Sequence, residues 1–171
     1  MKLFICCAVL CSASEVGAEP ENFVKAAFLY KFVKFVEWPA QAFKTPETPV
    51  VVCILGDDPF GPALEILKNK PVGKRKLFVI KHKEINKHKE SIHIVFVSAS
   101  EKKRLDSILS RFKGRPILTI GDTEGFAAKG GIINMVKRGG KIGFEINIKA
   151  AKHSGLKISS RLLKLAIIVD Q

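Results

Sequence analysis

Six consecutive apolar residues, VVVCIL at 50–55, run directly into the polar turn GDDPFG at 56–61. A run this short, and this rich in valine and isoleucine, suits a strand covered on both faces, as in the parallel sheets of α/β proteins. ALEILKNK then reads as a short helix, and KLFVIKH, IHIVFVS and RPILTIG as further strands. Between the last two, SASEKKRLDSILSRF reads as a helix with Ser98 or Ser100 as its cap and Leu105, Ile108, Leu109 and Phe112 along one face. Strands alternating with helices through short Gly- and Asp-bearing turns predict an open, largely parallel sheet. The last third breaks the alternation. GGIINMVKRGGKIGFEINI predicts a hairpin reversing at Gly139-Gly140, IKAAKHSG a helical region, and ISSRLLKLAIIV a buried C-terminal helix. The expected fold is a single α/β domain: an open, mostly parallel, Rossmann-like sheet with flanking helices and a C-terminal hairpin plus helix.

Ahead of the strands, KAAFLYKFVKFVEWP at 25–39 combines aromatic residues with lysines. Projected at 100° per residue, Val24, Phe28, Leu29, Phe32, Val33, Phe35 and Val36 share one broad arc, opposite Tyr30, Lys31, Lys34 and Glu37. The segment is therefore an amphipathic helix over 22–36, ended by Trp38-Pro39 because proline disfavours helical geometry in the residue before it. Its apolar face needs a cover: the chain's own sheet, a second copy or another protein, or a membrane surface. Lys25 falls at the centre of the apolar arc, where its stem can pack while the ammonium reaches water or an acidic group of a partner. Lys25, Tyr30 and Trp38 are the candidates for a partner interface, with core packing as the alternative for Trp38.

The first eighteen residues have the pattern of a secretory leader: Lys2, the apolar run from Leu3 to Ala13, and small residues ending at Ala18. The run breaks at Ser14 and Glu15, too short for a membrane span of roughly 20 residues. Cleavage after Ala18 would leave Glu19–Gln171, 171 − 18 = 153 residues, ample for one domain. Cys6, Cys7 and Cys11 would leave with the leader, so Cys53 could form no internal disulfide and, inside VVVCIL, reads as a buried small hydrophobe. The leader removes one lysine and one glutamate, so the formal net charge stays at +13. The lysines are dispersed and no zinc-finger or helix-turn-helix pattern accompanies them. For an exported chain that excess points away from nucleic acid and toward anionic lipid, acidic polymers or an acidic protein.

Open parallel sheets bind ligands in loops beyond the C-terminal ends of their strands. Those loops contain Gly56, Asp57, Asp58, Ser98, Ser100, Gly121, Asp122 and Thr123, the ligand-binding candidates, for which ordinary turn chemistry is the plain alternative. GDDPFG has neither a G-x-G-x-x-G nor a phosphate-loop lysine. Asp57, Asp58, Asp122 and Glu124 could serve as paired carboxylates or as turn caps. His82, His88, His93 and His153 show no metal-ligand spacing, and no serine has the glycine setting of a nucleophile elbow. The residues thus predict no catalytic group, metal or cofactor.

FVKAAFLYKFVKFVEWP, CILGDDPFG, ILTIGDTEGF, GGIINMV, FEINIKAA and GLKISSRLLKLA together resemble the YfiR family of exported bacterial proteins, in the family's order and from about Phe23 to Ala166. The resemblance implies a periplasmic, non-enzymatic α/β domain, often able to form a homodimer. It further implies repression of an inner-membrane signalling protein, a diguanylate cyclase, through its periplasmic part, with lowered cyclic-di-GMP synthesis. A small-molecule-binding or sensory module without a cyclase partner is the alternative. The family's redox-sensitive disulfides cannot be built from Cys53 alone, and Ile92 precedes His93 where many relatives carry cysteine.

Overall fold

The computed structural model describes residues 20–82 and 92–169. The expected leader, its three cysteines and His88 lie outside the described residues. In chain order the elements are α1 (Glu21–Phe35), β1 (Val36–Glu37), β2 (Val50–Leu55), α2 (Ala63–Leu67), β3 (Pro71–Val72), β4 (Arg75–His82) and β5 (Ile94–Val97). They continue with α3 (Leu105–Phe112), β6 (Leu118–Gly121), β7 (Ile133–Arg138), β8 (Lys141–Asn147), α4 (Ile148–His153), β9 (Lys157–Ile158), α5 (Ser160–Leu163) and β10 (Ile167–Val169).

Among the described residues, eight strands form one sheet in the order β10-β8-β7-β6-β5-β2-β4-β3. The pairings from β4 through β2, β5 and β6 to β7 are all parallel. β8 turns back antiparallel on β7, with Arg138 opposite Lys141 across the Gly139-Gly140 turn. β3 adds a two-residue antiparallel edge that no periodicity in the sequence announces. Within this sheet the chain steps from β2 outward to β4, then returns to β5 on β2's other side. The reversal places a crevice at the C-terminal ends of β2 and β5, where loops 56–61 and 98–101 leave.

All six residues of β2 are buried, which is what its unbroken apolar run requires. Val50, Val52 and Ile54 face the layer containing α1 and α2, while Cys53 and Leu55 join Leu105, Ile108, Leu109 and Phe112 of α3. Helix α1 buries Ala26, Leu29, Phe32 and Val33. Phe32 meets Phe144 of β8 edge-on at 5.0 Å between ring centroids, and Phe28 meets the same ring at 5.4 Å. The chain's own sheet is therefore the cover for the helix's apolar face. The helix stops at Phe35, and Val36–Glu37 pairs with β9 before Pro39.

The C-terminal segment departs from expectation. ISSRLLKLAIIV is not one buried helix: Ile158 closes β9, Ser159 caps the single turn of α5 through its hydroxyl, and Ile167–Val169 runs parallel to β8 as an edge strand. The β-branched Ile167, Ile168 and Val169 favour extended backbone, and β8 offered unpaired N–H and C=O groups along its length. The helix read from SASEKKRLDSILSRF is likewise shorter, beginning as a 3-10 segment at Ala99–Arg104 before α3.

Phe32 has 0% exposure and packs against two aromatic rings. Phe32→Ala is predicted to lower unfolding free energy by about 3–5 kcal/mol through lost transfer energy and a residual cavity. Chemical denaturation checks this, and a loss below about 1 kcal/mol would mean that α1 does not depend on this contact.

Candidate functional site

The loops at the crevice hold one another. The Asp57 N–H donates to Ser100 Oγ at 2.9 Å, and the Ala99 N–H donates to Asp122 Oδ1 at 2.9 Å. Loops 56–61, 98–101 and 121–123 are thus cross-linked across the ends of β2, β5 and β6. Gly56 has φ +79, and a Cβ there would collide with Ser100 Oγ, so the close approach needs a glycine. Ser98 is the cap of the following 3-10 segment, accepting from the Ser100 N–H at 3.5 Å. Asp58 points elsewhere: its Oδ1 accepts from the N–H groups of Phe60 and Gly61 at 2.8 and 3.2 Å, and its Oδ2 pairs with Lys81. It makes an Asx-type turn that seats the fully buried Phe60 against Phe96.

Helix α1 enters this network through Lys25. Its Nζ lies 3.1 Å from Asp122 Oδ2 and 3.1 Å from Glu21 Oε1, and Glu21 also pairs with Lys137 at 2.9 Å. Burial would lower the Lys25 pKa, but the hydrogen bond and charge of Asp122, followed by those of Glu21, outweigh it and hold the ammonium above its ordinary range. Glu21 sits below the usual carboxylate range because Lys137, then Lys25, donate to it. Lys25 therefore meets acids of its own chain.

Gly121 and Gly131 flank Phe126 so closely that a Cβ on either would strike its ring. Phe126 is buried under the end of β6, and Thr123 beside it is only 4% exposed, with an Oγ1 that has no hydrogen-bond partner among the described residues. Glu124 stands exposed on the same loop.

The remaining interface candidates differ in what they touch. Trp38 Nε1 donates to the His93 carbonyl at 3.3 Å and its ring meets Phe43 edge-on. Tyr30 is half-buried; its hydroxyl donates to the Pro71 carbonyl at 2.7 Å, and Lys34 and Lys70 lie 5.5 and 5.1 Å from its ring centroid. His93 has no local sequence signal for its role. Its Nδ1 accepts from the Val51 N–H at 3.2 Å and its Nε2 faces the Ala42 carbonyl at 3.0 Å, so Nε2 carries the proton. Burial pushes its pKa down, and its ring stacks on Phe43 at 4.4 Å, under the Arg75 guanidinium. His93 is a neutral pin between β2, β5 and the segment after α1.

The Cys53 thiol is pushed up to about 11 by burial, which keeps it from acting as a thiolate near neutral pH. Among the described residues no cluster of His, Cys, Asp and Glu could hold a metal ion, and no helix is long and apolar enough to cross a membrane.

The sheet order and its closed crevice define a doubly wound α/β domain, and solved structures of that architecture are similar to it. One is an ABC domain in complex with L-Trp from Streptococcus pneumoniae, 12% identical, TM-score 0.50, covering 70% of this chain and 55% of that one. Another is a conserved domain protein from Vibrio cholerae O1 biovar El Tor strain N16961, 8% identical, TM-score 0.52, covering 88% of this chain and 60% of that one. This chain thus spans little more than half the length of either, and at such identities the likeness is one of fold. No curated protein matches the chain. The chain belongs to the YfiR/HmsC-like family, whose model, DUF4154, matches residues 22–167. Family membership places it in the periplasm.

Asp122→Ala removes the acceptor shared by α1 and the loop entering α3, and is predicted to cost about 1.5–3 kcal/mol, the range for hydrogen bonds to charged groups. A double-mutant cycle with Lys25→Ala measured by urea denaturation should return a coupling of at least about 0.5 kcal/mol. Strict additivity would show that the ion pair is incidental.

Proposed function

We propose that the protein is exported on the leader Met1–Ala18, remains in the periplasm as Glu19–Gln171, and represses an inner-membrane diguanylate cyclase, lowering cyclic-di-GMP synthesis. The observation that carries this reading is the family match, which extends from the start of α1 to the start of β10. Repression follows from differential affinity: a partner that switches between two states is held inactive only to the extent that this protein prefers the inactive one. Tenfold preference corresponds to about 1.4 kcal/mol.

The surface we assign to the partner is the outer face of α1 around Tyr30, with Lys31, Lys34 and the neighbouring Lys70. Lys31 and Lys34 are exposed and have no ion pair among the described residues; each rests over an aromatic ring, Phe28 and Tyr30 respectively. A cationic rim around a half-exposed tyrosine suits an acidic, partly apolar patch on the partner. Lys25 and Trp38 are instead held within the chain, by Asp122 and the His93 carbonyl. The cross-linked loops favour this reading over a solute held by Gly56, Asp57, Ser98, Ser100, Gly121, Asp122 and Thr123. Among the described residues, the unpartnered Thr123 hydroxyl favours the solute.

Loss of the gene in the native cell should raise cyclic-di-GMP, and a Lys31→Glu/Lys34→Glu variant should fail to restore repression while its melting temperature stays near that of wild type. Unchanged cyclic-di-GMP after deletion would sink the cyclase assignment, and full repression by the folded variant would sink the surface.

We also infer a homodimer formed along β10, whose outer edge carries the exposed Ile167 and Ile168 beside Leu165 at 72% exposure. An apolar edge strand with unpaired backbone groups is a template for a second strand. Light scattering after size exclusion should give twice the monomer mass for wild type and the monomer mass for Ile168→Lys; a monomeric wild type would contradict the dimer.

A further inference from the structure

A groove of about 620 Å³ lies between α3, the turn leading into β7 and the start of α4. At the end of β8, Ile146 lies opposite Ile133, the first residue of β7, so α4 starts beside the turn at Lys129 and Gly130, and the lining contains none of residues 56–58, 98–100 or 121–123. Its lining includes Leu109, Lys113, Lys129, Asn147, Lys149 and His153. The volume lies within the range of small-molecule pockets, about 300–1,000 Å³, in which an apolar body is oriented by a few convergent polar groups.

The charge is lopsided. Three lysines face one carboxylate, Asp106, which pairs with Lys129 at 3.2 Å. Lys113 and Lys149 are exposed and have no ion pair or hydrogen bond from their ammonium groups among the described residues. Asn147 contributes wall: its amide donates to the Ala127 carbonyl at 2.9 Å and its oxygen accepts from the Ala150 N–H at 2.8 Å. Gly114 leaves the mouth open beside His153, whose ring a Cβ at that position would touch at 3.5 Å. The groove thus has an apolar floor at Leu109 and Ala150 and two unneutralised cations at its rim.

We propose that this groove binds a small organic polyanion, with phosphate or carboxylate groups on Lys113 and Lys149 and its body over Leu109 and Ala150. Concave, same-sign charge concentrates counter-ions. The phosphate could belong to a soluble metabolite or to a lipid headgroup, and the two sources are separable. The site stands independently of the regulator reading, because its readout is binding itself.

The test is calorimetric titration of protein purified from the periplasm with inorganic pyrophosphate and with citrate, alongside flotation with phosphatidylglycerol vesicles. The expected result is one pyrophosphate or citrate per chain, weakened at least tenfold by Lys113→Ala/Lys149→Ala and left unchanged by Lys141→Ala/Lys164→Ala, which removes the same charge elsewhere. Vesicle binding with the same dependence on Lys113 and Lys149, and no soluble binding, would support the site with lipid phosphate as its ligand. Absence of saturable binding in both arms, or equal weakening by both double variants, would overturn the proposal in favour of diffuse surface charge.

Discussion

Asp122 accepts hydrogen bonds at both carboxylate oxygens, and each bond ties down a different layer of the protein. Oδ1 receives the Ala99 N–H at the start of the chain into α3, while Oδ2 receives Lys25 from α1 on the other side of the sheet. An ammonium beside an apolar helix face is tolerable only with such a partner, because the effective penalty of removing one charge from water is several kcal/mol. The pair lets α1 lie with Phe28 and Phe32 against Phe144 while its charged residue reaches the loop ends. The same carboxylate, with Ser100, draws the three loops together.

That closure shapes how the molecule can work. In an open parallel sheet the crevice at a reversal of strand order is the usual place for a ligand. Here the Asp57 and Ala99 N–H groups are turned on Ser100 and Asp122, and the Cys53 thiol is buried in β2 with its pKa pushed up to about 11. Among the described residues, the accessible features are a cationic face on α1, an apolar edge at β10 and a basic groove by α4. The proposed regulation of a membrane partner needs surfaces of this kind, one to hold the partner and others through which that hold can be adjusted.

The parallel sheet was legible in the sequence because VVVCIL, IHIVFVS and RPILTIG are too short and too β-branched for helices and are separated by turn residues. The opening helix was legible from its period, and its burial from Phe28, Leu29, Phe32 and Val33. The C-terminal residues were not legible, because IIV is compatible with either a buried helix or a strand and only the free edge of β8 decides between them. Lys25 stood out on the wheel, but Asp122 is 97 positions away and no spacing links the two. His93 illustrates the same limit: its partners, Val51 and Ala42, belong to separate elements, so its role as a pin exists only in the folded chain.

Amide hydrogen exchange by NMR on the ligand-free protein addresses the closed crevice most directly, through the backbone N–H groups of Asp57 and Ala99. Both residues are exposed, so their amides should exchange rapidly unless the bonds to Ser100 and Asp122 persist in solution. The account predicts protection at both sites approaching that of the neighbouring strands β2 and β5. Exchange at the rate of an unstructured peptide would mean that the loops stand open and that the crevice is free to receive a ligand.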